Sequence, residues 1–117
     1  DFDDAVERMG AALKTEGFGV LTEIDVKDTL KKKLDVDFRK YKILGACNPP
    51  LAHRALSSEL LIGLLLPCNV VVFEGDDGTI TASVINPKDM FKVVDNAELA
   101  EMVNEVDAKL KRVLEAI

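Results

Sequence analysis

Residues 69–74, Asn69-Val70-Val71-Val72-Phe73-Glu74, form a run of β-branched and aromatic side chains, the signature of a strand. Asp76-Asp77-Gly78 follows as a hairpin turn signal, and residues 79–86 return as a second strand that Pro87 ends. A tight hairpin is antiparallel by construction. That excludes a doubly wound parallel sheet and points to an α+β domain. Val70 and Val72 point to one side of this strand, Val71 and Phe73 to the other. Both sides are apolar, so both call for cover: a helix layer, a bound ligand or another subunit.

The rest of the chain supplies helices and two more strands. Phe2, Val6, Met9 and Leu13 recur at helical spacing, Gly17 supplies a stop, and Asp4 with Glu7 reads as a capping box, so residues 4–16 are expected to be a helix. Residues 18–25 alternate, with Phe18, Val20, Thr22 and Ile24 on one side of a strand and Leu21, Glu23 and Asp25 on the other. Val26, Leu30 and Leu34 mark a short helix over 26–34, and residues 41–47 are a strand. Asn48 suits an N-cap and Pro49 a first helical turn, opening a helix over about 49–59. Leu99, Met102, Val103, Val106, Leu110, Val113, Leu114 and Ile117 trace one face of a long final helix, with Asp95 and Glu98 at its start. The expected order is α-β-α-β-α-β-β-α.

At 117 residues the chain suits a single domain, residues 1–117, large enough to bury a core. The formal charge is −6, which argues against nucleic acid as a partner. With no Trp and one Tyr, there are few rings on which a base or sugar could stack. The longest apolar run, Leu60 to Leu66, stops at Pro67 and is far short of the roughly 20 residues of a membrane helix, so no membrane association is expected. No signal peptide is visible, and two cysteines are too few for a disulfide scaffold, so a cytoplasmic location is the expectation. Residues 27–42 hold seven bases and three acids, a local excess of four positive charges on an otherwise acidic chain. The plain reading is a solvated helix and loop. Three consecutive lysines, Lys31 to Lys33, fan around a helix and cannot all aim at one anion.

No phosphate-binding, dinucleotide-binding, zinc-protease or serine-hydrolase motif is present, and no cofactor is specified. Glu23 and Asp25 sit two apart on a strand and share a face, where paired carboxylates can serve acid–base work or hold a cation; equally, Asp25 can cap the helix that follows. Cys47 ends one strand and Cys68 opens the next, 21 positions later. If those strands are antiparallel neighbours, both thiols lie at the same end of the sheet; if parallel, at opposite ends. Two free cysteines usually pack as small hydrophobes. With His53, six residues after Cys47, they could instead offer three ligands to zinc or copper.

Gly17-Phe18-Gly19-Val20 through Glu23-Ile24-Asp25, then Ile43-Leu44-Gly45-Ala46-Cys47-Asn48-Pro49, then Gly63-Leu64-Leu65-Leu66-Pro67-Cys68-Asn69-Val70-Val71-Val72, together resemble the DUF302 family. The resemblance runs over essentially all of the chain. It implies a bacterial or archaeal protein without an established activity, and an antiparallel sheet similar to the TATA-binding-protein fold, of β-α-β4-α type, with additional helices. It also implies a first strand ahead of residue 4, which this chain does not show. Cys47, Asn48, Pro49 and Cys68 match the family's motif residues, as do Glu23 and Asp25; the resemblance attaches no role to them, and the likeness of fold does not bring DNA binding with it. The antiparallel sheet it implies favours neighbouring thiols, kept reduced.

Three functions follow as expectations. The first is a non-enzymatic module that binds a small ligand near Cys47, Asn48, Pro49 and Cys68, with Glu23 and Asp25 as further candidates, and acts as a homodimer. The dimer is expected because the third strand is apolar on both sides and Leu21, Leu44 and Ile85 lie on strands with few covering helices. The second is a thiol enzyme or redox carrier using Cys47 or Cys68. The third is a metal-binding domain using Cys47, His53 and Cys68.

Overall fold

The computed structural model describes residues 1–90 and 96–117, without the side chain of Met90. Helix α1 spans Phe2–Thr15, strand β1 Gly19–Asp25, helix α2 Val26–Leu34 and strand β2 Tyr41–Cys47. Helix α3 runs Pro49–Ser58, followed by a 3-10 turn at Leu60–Leu65. Strands β3 (Cys68–Glu74) and β4 (Ile80–Val84) form the hairpin, and a short α4 (Pro87–Met90) precedes the long α5 (Ala97–Glu115). The strands lie in chain order, β1-β2-β3-β4, every neighbouring pair antiparallel. The architecture is α+β, as the hairpin requires. Neither the 3-10 turn nor α4 was expected: the leucine run has no polar periodicity to mark a helix, and α4 is one turn long.

Local chemistry sets most boundaries. Asp1 caps α1, its carboxylate accepting from the Asp4 N–H at 2.7 Å, so the helix starts before the Asp4–Glu7 box expected to open it. Asp25 and Asn48 cap α2 and α3 in the same way. The cap of α5 is Asn96, whose side chain accepts from the Glu98 N–H at 3.0 Å; Asp95, expected there, lies outside the described residues.

Paired residues share a face of the sheet, and the ladder separates the two faces cleanly. Leu44, Ala46, Val70 and Val72 face α1 and α5 and pack with Met9, Leu13, Leu110 and Val113 into the main core. Leu44, expected to help make an exposed patch, is one of its most buried members. A second cluster joins Ile62 of the 3-10 turn to Leu99 and Met102 of α5. The only buried charged side chain among the described residues, Asp107 of α5, is held by Lys111 at 3.1 Å and Lys88 of α4 at 3.6 Å. The Lys111 contact keeps its carboxyl below the ordinary range, so this tie between α4 and α5 weakens as pH falls through that lowered value.

Strand β1 departs from simple alternation. Val20 pairs with Ala46 and Thr22 with Gly45, so Leu21 is an extra residue and the register shifts there. Val20 and Thr22, expected on one side, therefore lie on opposite faces. The resemblance to the DUF302 family implies a first strand as well; among the described residues the sheet has four strands, and α1 begins at Phe2.

Candidate functional site

Cys47 ends β2 one residue past the Ala46–Cys68 pair, so the antiparallel ladder brings the two cysteines to the same end of the sheet. Both are free thiols, and both line one cavity of about 50 Å³. Its floor is Phe18 and Ala46; α3 contributes Leu51, Ala52 and Ala55; α5 contributes Leu99, Met102, Val103 and Val106; Leu66 and Pro67 close the remaining side. Of the apolar run Leu60 to Leu66, Leu66 lines the cavity. Leu60, Leu61 and Leu64 point outward instead, 83%, 71% and 84% exposed.

Asn48 is the one amide in the lining, and its polar atoms are already engaged. Its Oδ1 accepts from the Leu51 N–H at 3.4 Å, and its Nδ2 donates to the Glu16 carbonyl at 3.3 Å, tying the start of α3 to the end of α1. The cavity therefore offers a ligand an apolar surface and two thiols. Burial pushes the Cys68 thiol up to about 11, with the nearby Cys47 adding to the rise. At neutral pH Cys68 is a thiol and not a thiolate, which removes the nucleophile that thiol catalysis needs from this position.

A stability profile tests this burial. The unfolded chain ionises Cys68 near its ordinary value of 9.0, whereas the folded chain does so near 11. The contribution is full below the lower value and is lost as pH rises through the upper one. Unfolding free energy is expected to fall by about 2–3 kcal/mol across that window, and the step to shrink in Cys68→Ala. Equal steps in both proteins count against the buried thiol.

Glu23 and Asp25 share a face but do not join the cavity. Cys47 pairs with Gly19, and the two carboxylates lie four and six residues further along β1, about 13 and 20 Å away. Glu23 pairs with Lys42 at 2.8 Å, and Asp25 is the α2 cap. Pro49 opens α3 and is exposed. The proposed ligand triad Cys47, His53 and Cys68 does not converge: His53 is exposed and borders a different groove with Arg54, Ser57 and Glu98. Among the described residues no three His, Cys, Asp or Glu are placed to hold a metal ion.

The basic stretch meets local acids rather than a shared anion cleft. Lys31 pairs with Asp35 and Asp37, Lys32 with Asp28, and Arg39 with Asp76. The groove beside it mixes Lys27 and Lys31 with Asp25, Asp28 and Asp37. Sequence reasoning missed the α3 and α5 residues of the cavity wall because their helical spacing reads equally well as core.

An open antiparallel sheet with α1 and α5 on one face and an apolar, thiol-lined cavity at one end defines a small α+β domain. The family model for the domain of unknown function DUF302 matches residues 1–117, and the chain belongs to that family. It is similar to a solved structure described as the crystal structure of uncharacterized conserved protein DUF302 from Bacillus stearothermophilus, with 32% identity and a TM-score of 0.90, over 99% of this chain and 90% of that one. No curated protein matches the chain. Among the described residues, no helix is long and apolar enough to cross a membrane.

Proposed function

We propose that this protein is a non-enzymatic binding module that acts as a homodimer and takes a small apolar group into the cavity beside Cys47 and Cys68. One observation carries the ligand half. The cavity is walled by aliphatic side chains and two weakly hydrogen-bonding thiols, and its amide is already bonded, so a polar ligand would lose hydrogen bonds to water and regain little. Size narrows the class. A cavity of about 150 Å³ holds benzene, and this one is about 50 Å³. A xenon-sized occupant fits as the walls stand, and a benzene-sized one enters only if Leu66 or the α3 side chains yield.

Xenon and benzene are the probes. Under xenon pressure, the methyl resonances of Leu51, Leu99, Val103 and Val106 are expected to shift together, and benzene is expected to raise the melting temperature. Both responses should vanish in Ala55→Leu, which fills the cavity. Unshifted methyls and an unmoved melting temperature remove the ligand half of the reading.

A further inference from the structure

We propose that the sheet face turned away from α1 and α5 is where a second copy of this chain packs, sheet against sheet, about a two-fold axis. This rests on the homodimer half of the reading above and adds the surface.

Three rows of paired residues cross that face: Thr22-Gly45-Asn69, Ile24-Ile43-Val71-Ser83 and Tyr41-Phe73-Thr81. None of these ten residues is charged, although charged residues make up 31% of the chain; at that rate about three would be expected. The acids and bases of the same strands, Glu23, Asp25, Lys42 and Glu74, all fall on the helix-facing side. Aromatic rings gather at one end of the face. Tyr41 and Phe73 stack with centroids 5.2 Å apart, and Phe38 packs on Tyr41 at 6.3 Å. Depletion of charge with enrichment of Tyr and Phe is the compositional mark of an interface core.

Charge selects the occupant. Each copy carries −6, so most of its surface repels another copy. On the uncharged face two copies meet without opposing like charges. A two-fold axis demands a surface complementary to itself. Apolar Ile24, Ile43 and Val71 meet that demand, and the hydroxyls and amide of Thr22, Asn69, Thr81 and Ser83 each donate and accept. Within the three rows themselves a basic or acidic partner would find no counter-charge. Four strands spaced about 4.8 Å and six residues long give a footprint of roughly 400 Å² per copy. That is about half a standard interface, which sets the expected affinity in the micromolar range.

Sedimentation velocity from 1 to 500 µM tests the surface. The chain is expected to pass from monomer to dimer across that range. Ser83→Lys on β4 and Ile24→Lys on β1 alter exposed positions of the middle row, and at least one is expected to weaken the dimer tenfold or more with an unchanged circular dichroism spectrum. Ala100→Lys adds the same charge to an exposed position on α5 and should leave the dissociation constant within about twofold. A monomer at 500 µM overturns the homodimer and the surface together. A dimer unmoved by both face substitutions, or weakened equally by Ala100→Lys, overturns the surface alone.

Discussion

Gly45→Ala is expected to destabilise the fold by about 2–3 kcal/mol, the upper part of the range for overpacking. Gly45 has no unusual backbone angle to protect; what it protects is space. A Cβ at this position would run into the Thr22 hydroxyl on one side and lie 2.7 Å from the Pro67 Cγ on the other. Neither neighbour is the far end of a flexible chain: one hydroxyl sits directly on Cβ, and the other atom belongs to a ring. Relief therefore requires β1 or the segment entering β3 to move away from β2. Adding Thr22→Ala should return about 1 kcal/mol, because it removes one of the two clashes and leaves Pro67 in place. Urea midpoints of the four proteins in the cycle measure this directly. A single-mutant loss below about 0.5 kcal/mol, or no coupling with Thr22, shows that the strands separate more easily than this packing implies.

Leu110→Ala and Leu114→Ala are expected to differ sharply although both residues lie on α5, four positions apart. Leu110 is fully buried between α5 and the sheet, so truncation should cost about 2–5 kcal/mol, a large part of a small domain's net stability. Leu114 is 38% exposed, and its loss should cost less than about 1 kcal/mol. The readout is the urea midpoint at constant slope. Equal losses would place the inner face of α5 elsewhere.

That contrast also shows what the amino-acid sequence discloses. The apolar period of α5 is unmistakable over five turns, yet it counts Leu110 and Leu114 alike, since periodicity marks a stripe and not the edge of its cover. The hairpin at Asp76–Gly78 was legible because turn chemistry and strand chemistry coincide there. The faces of β1 were not, because the bulge at Leu21 depends on pairing with β2 and leaves no trace in local composition. Cys47 and Cys68 could be brought to one cavity only by knowing that β2 and β3 are antiparallel; 21 residues and a helix separate them in the chain. Glu23 and Asp25 looked like a pair by spacing, and they share a face, but distance along β1 removes them from the cavity. The Cys47–His53–Cys68 set failed on direction, since α3 turns His53 outward.

The order of strands along the chain has a consequence for how the molecule is made. Because β1 to β4 follow one another without crossing, the whole sheet can pair before α5 leaves the ribosome. Val70 and Val72 are then bare on the side that α5 will later help to cover, and Leu110 and Val113, which complete that core, follow all four strands in the chain. The nascent chain thus passes through an interval in which a formed sheet lacks much of its lid. A chain halted after residue 96 should bind more of a hydrophobic dye than the chain through residue 117, and in cells it is the species that holding chaperones would meet.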